Sequence, residues 1–209
     1  MHTNSSVQVR GKWSLFIVIL FNTLLVSASP YFRTTELSDS TVFATRLSEA
    51  RQYFKSYQYD SARIVLYPNL QPEATGASRN LMIDSYALLV NVFWNATQYD
   101  SAAIYAEKGL QIQGLSSKQK TQLLYRLADS HYRRSVFDQS VEMCYKVLEV
   151  IKQQPYEGSD YRAFTTYQLL GLVHIEMDQF DMARDYFRYC LDHFNVSSKE
   201  NLNGLQAYG

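Results

Sequence analysis

Two histidines at matching positions are the first residues whose types could do chemistry. His131 and His174 each follow an apolar helical stripe, so a metal ion shared between them is one interpretation. A metal site needs three or four ligands, and no Asp, Glu or Cys stands at helical spacing to complete the set. We therefore favour the alternative, in which each histidine fills the position of a core aromatic residue, and we expect no metal.

Two cysteines, Cys144 and Cys190, fall in two different predicted helices. A disulfide or a metal-binding pair is one interpretation, and two buried free thiols are the other. Cysteine is among the most buried residue types, and two ligands do not make a zinc site. We therefore expect free thiols.

No motif of a known catalytic or cofactor site occurs in the chain. The sequence lacks HExxH, GxSxG, a glycine-rich phosphate loop and CxxC, so we expect neither an enzyme nor a cofactor. Lys plus Arg and Asp plus Glu number 20 each, which leaves no basic excess to attract nucleic acid. A hydrophobic share of 46 % predicts a packed core, and 8 Gly with 4 Pro are too few for a loop-rich β fold.

One tetrapeptide recurs and shows how the chain is organised. It reads aromatic, Asp, any residue, then Ala or Ser, and the Ala/Ser positions are separated by 40, 38 and 43 residues. We call it the hinge motif. Its four copies are Tyr59-Asp60-Ser61-Ala62, Tyr99-Asp100-Ser101-Ala102, Phe137-Asp138-Gln139-Ser140 and Phe180-Asp181-Met182-Ala183. A fixed period near 40 residues is typical of a helical solenoid.

Amphipathic helical stretches flank every hinge motif and predict four helix pairs between residues 38 and 193. The predicted pairs are 38–56 with 59–70, 78–96 with 99–113, 117–134 with 137–152, and 160–177 with 180–193. In each motif the Asp should accept from free backbone N–H groups of the second helix, and the aromatic should act as a hydrophobic staple. The Ala or Ser should lie where two helices cross closely. Ser116 and Gln119 have the spacing of a capping box.

The N-terminus has the pattern of a secretory signal peptide over residues 1–28. Arg10 and Lys12 precede an apolar stretch from Trp13 to Val26, and small residues follow, so we expect cleavage after Ala28. An uncleaved membrane anchor is the alternative, although about 14 apolar residues fall short of the ~20 that span a bilayer. The exported protein would then be periplasmic or secreted, without a stable membrane span. Asn95 and Asn195 are N-glycosylation sequons in a host that glycosylates.

The helix pairs resemble the tetratricopeptide repeat (TPR) family, which has a small residue midway along each first helix and an aromatic three residues later. The small residues are Ala50, Val90, Ala128 and Gly171, and the following rings are Tyr53, Phe93, His131 and His174. The resemblance implies an all-α fold, a right-handed TPR-like superhelix of about four helix pairs. With the signal peptide, it also resembles the exported TPR sensor or scaffold regions of bacterial signalling proteins.

The same resemblance implies that the first helices line a concave groove that binds a peptide or protein. The candidate groove residues lie one step beyond the core stripe: Asn91, Trp94, Asn95, Tyr125, Asp129, Tyr132, Arg133 and Gln168. Ordinary solenoid surface is the alternative for each. Trp, Tyr and Arg are the types that anchor interfaces. Arg133 is the one cation at these positions, which disfavours the carboxylate clamp of chaperone-binding TPRs.

Two function classes follow. The first is a non-enzymatic interaction scaffold or sensory module, and the alternative is an accessory or carbohydrate-handling module of the cell envelope. Residues 194–209 are expected to form a short tail or partial capping helix carrying Leu202 and Leu205. The array would then be open-ended, and the last pair, with Tyr186, Tyr189 and Cys190, would form a patch for self-association.

Overall fold

A computed structural model describes residues 39–70 and 76–193. Within these ranges the chain forms eight α-helices, one short 3₁₀ helix and no strand. The helices are α1 Asp39–Lys55, α2 Tyr59–Leu66, α3 Gly76–Asn95, α4 Tyr99–Leu110, α5 Ser117–Arg133, α6 Phe137–Gln153, α7 Ser159–Glu176 and α8 Phe180–His193, with the 3₁₀ helix Tyr67–Asn69 after α2. The predicted signal peptide, the tail over 194–209 and Asn195 lie outside the described residues.

The helices pack as four consecutive hairpins, as predicted. Each odd-numbered helix packs against the even-numbered helix that follows it, and each even-numbered helix packs against the next odd one. The first helices α1, α3, α5 and α7 also contact one another in order, whereas the main neighbours of the second helices are the first helices on either side. The first helices therefore lie on the inner side of the stack. The all-α, TPR-like solenoid of four helix pairs is confirmed.

The turn inside each hairpin has one backbone conformation repeated four times. Tyr57, Thr97, Ser135 and Asp178 have φ between 57° and 59°, in the left-handed region. In the second hairpin, the Gln98 N–H donates to the Phe93 carbonyl at 2.9 Å and the Thr97 N–H donates to the Trp94 carbonyl at 3.0 Å. This pair of bonds is the Schellman motif, which satisfies the last carbonyls of the first helix. None of the four residues is glycine. A residue with a β-carbon is strained in the left-handed region, so each turn costs some conformational energy.

The aromatic residue of the hinge motif packs on the end of the first helix, which differs from the predicted staple at the start of the second helix. Tyr99 lies with its ring centroid 6.2 Å from that of Trp94, five residues earlier on α3, and Phe137 lies 6.4 Å from Tyr132. The Schellman turn reverses the chain just before the motif, which brings the ring onto the end of the first helix. The aromatic therefore fixes the hairpin rather than the start of the second helix.

The Asp of the hinge motif lies in the first turn of the second helix, as predicted, and in three of the four motifs it forms an ion pair with arginine. The residues that precede α2, α4 and α6 make no side-chain cap. Asp60 pairs with Arg63 on its own helix, and Asp100 pairs with Arg134 at 2.6 Å, in the turn of the next hairpin. The capping box is confirmed, since the Ser116 hydroxyl accepts from the Gln119 N–H.

The small residues of the hinge motif are buried, as expected for positions between packed helices. Ala62, Ala102 and Ala183 are buried, and the buried Ser140 hydroxyl donates to the Ala128 carbonyl at 2.8 Å. Gly171 of α7 is the tightest site, because the ring of Phe187 from α8 occupies the space of a β-carbon. The side-chain volume at this crossing is supplied by the phenylalanine instead.

The buried apolar residues form two clusters that meet inside α5. The larger cluster runs from Leu47 on α1 to Leu127 on α5, and the smaller one begins at the adjacent Ala128 and reaches Val173 on α7. Helix α5 is therefore the element that belongs to both cores.

Candidate functional site

The predicted groove residues lie on the inner side of the stack, and most of them meet around one arginine that the prediction missed. Arg126 of α5 donates through Nε to Asn91 Oδ1 of α3 at 2.6 Å. Its guanidinium lies over the ring of Trp94, 4.7 Å from the centroid. Its Nη1 is 3.6 Å from Asp129 Oδ2. We call Asn91, Trp94, Arg126, Asp129, Tyr132 and Arg133 the arginine–tryptophan cluster.

Arg126 and Asp129 are charges held away from water. Burial lowers the pKa of Arg126, and the neighbouring Asp129 carboxylate opposes that shift. Burial likewise raises the pKa of Asp129, while Arg126 and Arg133 oppose the rise. Both groups need a partner because an unpaired buried charge costs several kcal/mol, roughly 3–5 when one member of a pair is removed. The carboxylate of Asp129 therefore holds the cluster together rather than pointing to a ligand.

Arg133 forms the outer part of the cluster. Its Nε lies 3.6 Å from Asp129 Oδ1, and its guanidinium is 5.6 Å from the centroid of Trp94 and 5.5 Å from that of Tyr132. Its side chain keeps 45 % of its exposure, against 21 % for Arg126. Arg133 is thus the cation of this cluster that a ligand could reach.

Trp94 is clamped between aromatic and cationic neighbours. Its indole Nε1 is buried and has no hydrogen-bond partner among the residues that the structure describes. Asn91 and Asn95 at the end of α3 are also engaged, since Asn95 Nδ2 donates to the Asn91 carbonyl at 2.9 Å. These contacts give the surface rigid side chains, which lose little entropy when a ligand binds.

Tyr125 and Gln168 lie outside the cluster. Tyr125 contacts the guanidinium of Arg162 from α7, 4.4 Å from its ring centroid, and burial raises the pKa of Tyr125 to about 12. Gln168 is exposed one repeat further along, on α7. The described face continues there with the exposed apolar side chains of Leu172 and Ile175.

A pocket of about 510 Å³ opens at the N-terminal end of the same face. We call it the N-terminal pocket, and it lies among α1, α3 and α5. Its lining consists of Arg51, Phe54, Lys55, Asp84, Ala87, Leu88, Asn91, Ser116, Lys118, Gln119 and Gln122. Arg133 remains the one cation at the predicted groove positions, and this pocket adds Arg51, Lys55 and Lys118 to the same face. The predicted positions include neither α1 nor the first turn of α5.

The residues considered for chemistry are buried within the helices. His131 and His174 occupy the aromatic positions of their pairs, and the ring of His174 stacks on Tyr186 with centroids 5.3 Å apart. Burial lowers the pKa of His131. Cys144 and Cys190 are free and buried, as expected, and burial raises the pKa of each thiol. Within residues 39–70 and 76–193, no three His, Cys, Asp or Glu side chains come together as a metal site.

A second cavity, of about 770 Å³, lies among α6, α7 and α8. Three tyrosines line it, Tyr145, Tyr167 and Tyr189, and the Tyr189 ring stacks on His193 with centroids 4.0 Å apart. We call it the tyrosine cavity. None of the described helices has the length and apolar character needed to cross a membrane.

Comparison with known families identifies the type of repeat. A family model described as "Tetratricopeptide repeat" matches residues 120–195, which begin inside α5 and include α6, α7 and α8. No curated protein matches the chain. The prediction of tetratricopeptide repeats is therefore confirmed for the part of the chain that holds the third and fourth hinge motifs.

Proposed function

We propose that this tetratricopeptide-repeat chain is a non-enzymatic scaffold that binds a peptide or protein on the inner face formed by its first helices. Repeats of this type generally mediate protein–protein interaction. The observation that carries the proposal is the arginine–tryptophan cluster. It presents Trp94, Tyr132 and Arg133 in fixed positions on the same face as the N-terminal pocket, with which the cluster shares Asn91, and these are the residue types that dominate binding energy at interfaces.

The cluster also limits what the ligand can contact. Asn91 Oδ1 and the Asp129 carboxylate already contact Arg126. They therefore hold the cluster in place rather than contact a ligand. Arg133 and Asn95 are exposed, and Trp94 is half-buried. The cluster and the adjacent Asn95 therefore offer one exposed cation, one amide and two rings.

Site-specific photo-cross-linking tests this proposal. A photoreactive amino acid replaces Gln122, which lines the N-terminal pocket, or Gln139, which is exposed on the second helix α6. We expect a discrete adduct from the Gln122 position and none of the same mass from Gln139. The captured protein, once purified, should bind the wild-type chain and lose roughly tenfold affinity for an Arg133→Ala variant. Equal labelling at both positions would contradict a groove interaction.

We also propose that this binding takes place after export. The proposal rests on the signal-peptide pattern over residues 1–28 and on the resemblance to exported TPR sensor or scaffold regions. N-terminal sequencing of the native protein should begin at Ser29. Recovery of intact Met1 protein from the cytoplasm would overturn the localisation and the sensory role together.

The tyrosine cavity favours the alternative class, a carbohydrate-handling module. Its tyrosine rings, together with the carboxylates of Glu149 and Asp160, are a combination that suits a sugar ring. A panel of defined oligosaccharides tested by calorimetry against the wild type and a Tyr189→Ala variant would show whether this cavity binds glycans. Binding lost in the variant supports the alternative, and no heat with any oligosaccharide removes it.

Self-association through the last helix pair remains part of the proposal, and the exposed apolar side chains of that pair include Tyr189 of the predicted patch. Cys190 is buried and therefore contributes nothing to a contact surface. Leu191 is 76 % exposed and Phe180 is 63 % exposed. Sedimentation velocity should show association of the wild type and weaker association of a Leu191→Lys variant. A strictly monomeric wild type at high concentration would contradict it.

A further inference from the structure

The N-terminal pocket carries a concentration of positive charge that the chain as a whole does not have. The full sequence has 20 basic and 20 acidic residues. The pocket lining contains Arg51, Lys55 and Lys118 against one carboxylate, that of Asp84. Asp84 is already engaged, because its Oδ1 accepts from Gln119 Nε2 at 3.0 Å. The lining of this pocket therefore has a net positive charge, although the protein as a whole has a formal net charge of zero.

Arg51 and Lys55 stand four residues apart on α1, so they are neighbours on one side of the helix. Like charges at this spacing repel each other and destabilise a helix. An anion bound between them would offset that repulsion. The rise of an α-helix separates the two positions by about 6 Å along the axis. Two side chains at alternate positions of an extended peptide are separated by about 6.6 Å, and they point in the same direction.

Apolar and amide groups complete the pocket. Phe54 and Leu88 are half-buried at its wall, and Ala87 is buried at its base. Asn91 and Gln122 supply amide groups, which can donate to and accept from a peptide backbone. The lining therefore combines cations for carboxylates, an apolar wall for one large side chain and amides for a main chain.

We propose that the N-terminal pocket binds an extended internal peptide segment of the partner with the pattern acidic, any residue, acidic, next to a large apolar side chain. The two carboxylates face Arg51 and Lys55, with Lys118 across the pocket, and the apolar side chain packs against Phe54 and Leu88. This inference rests on the proposed function and adds the chemistry of the ligand to it. The carboxylates are side chains of the segment rather than a chain terminus.

Synthetic peptides of known sequence test the inference on the full chain by fluorescence anisotropy. The probe is a labelled octapeptide of alternating Glu and Leu, acetylated and amidated so that it has no terminal charge. We expect it to bind roughly tenfold more tightly than the same peptide with Gln in place of Glu, and to weaken as salt is raised. A peptide with Lys in place of Glu should not bind.

Matched charge variants assign the binding to the pocket. The double variant Arg51→Gln with Lys55→Gln should lose the preference for the Glu peptide. The control removes two other exposed cations, Lys152→Gln with Arg188→Gln, and should keep it. Circular dichroism spectra of the four-helix-pair fold check that both variants are folded, and a single Lys118→Gln variant, which changes α5 instead of α1, should lose part of the preference.

Three results would overturn the inference. They are equal binding of the Glu and Gln peptides, equal loss in the pocket and control variants, and binding of a Gln–Leu peptide as soon as it carries a free terminal carboxylate. The inference can fail while the proposed function survives, if the protein cross-linked at Gln122 has no acidic segment. Conversely, Glu–Leu binding without any cross-linked partner would leave a peptide site and remove the scaffold.

Discussion

Substitution of Gly171 by alanine separates two opposing effects that the structure makes measurable. A β-carbon at Gly171 would lie 2.6 Å from Cζ, 2.7 Å from Cε1 and 2.9 Å from Cε2 of Phe187. Carbon atoms in ordinary contact are about 3.5–4.0 Å apart, so the ring would have to move by roughly 1 Å. Overpacking of this kind costs ~1–3 kcal/mol, whereas alanine in a helix interior gains ~1 kcal/mol over glycine. We therefore expect Gly171→Ala to lower the free energy of unfolding by about 1 kcal/mol.

The same substitution at Gly109 is the matched control. A β-carbon there would be 3.0 Å from Cδ1 of Leu123, the far end of a flexible side chain, and 3.4 Å from Cβ of Tyr86. The methyl group of Leu123 can give way by a few tenths of an ångström, so the gain in helix propensity should offset the contact. We expect Gly109→Ala to change stability by less than about 0.5 kcal/mol.

A double-mutant cycle with Phe187→Leu isolates the ring as the cause. With the ring removed, Gly171→Ala should become neutral or stabilising, which gives a coupling free energy of about 1–2 kcal/mol between the two sites. Urea unfolding followed by circular dichroism measures all four proteins, and a loss of 1 kcal/mol should also lower Tm by ~2–4 °C. If Gly171→Ala stabilises the protein equally with and without the ring, the packing of α7 on α8 derived above is wrong.

Three further predictions concern the turns, the buried charges and pH. Thr97→Gly should raise the free energy of unfolding by about 1 kcal/mol in urea titrations, because a β-branched residue is strained at a φ of 58°; a loss of stability would show that the turn is not left-handed. Asp129→Asn should cost ~1–3 kcal/mol by the same measurement, less than the full cost of breaking a buried pair, because Arg126 keeps 21 % of its exposure and its bond to Asn91; an unchanged urea midpoint would contradict the pairing. The lowered pKa of His131 means that the unfolded chain binds a proton more readily than the folded protein does. The free energy of unfolding is therefore highest above about pH 6.5, and it decreases as the pH drops through the lower pKa of the folded state. A His131→Phe variant should therefore show a flatter dependence of the urea midpoint between pH 5 and 7, and identical slopes would refute the assignment.

The repeat organisation could be predicted because the hinge motif combines a turn, a ring and a small residue at fixed spacing. Ala102 and Ala183 are buried at helix crossings because a fixed helix separation tolerates one side-chain size, which leaves a mark in the sequence. The left-handed turn residues could not be predicted in this way, because their residue types give no signal of a positive φ. Thr97 and Tyr57 are residue types that avoid positive φ, and only the surrounding hydrogen bonds hold them there.

The candidate site was harder to predict because exposure and burial look alike in a single sequence. Arg126 reads as an ordinary solvated charge, although its guanidinium is covered by Trp94 and bound to Asn91. The spacing of Arg126, Asp129 and Arg133, at i, i+3 and i+7 on one helix face, is a signal that could have identified it. The cations of α1 were missed for a different reason, since no groove position was assigned to the first helix pair.

The division of the core at α5 has a consequence for how the protein opens. Leu127 belongs to the larger buried cluster and Ala128 to the smaller one, so neighbouring residues of one helix belong to different parts of the core. Amide hydrogens on the two sides of this point should then exchange at different rates, because either half can open while α5 stays docked on the other. A bound segment that contacts both Arg51 on α1 and Arg133 at the end of α5 would reach that shared helix. Partner binding should then slow the hydrogen exchange of the α5 amides before it slows the exchange of amides at either end of the stack.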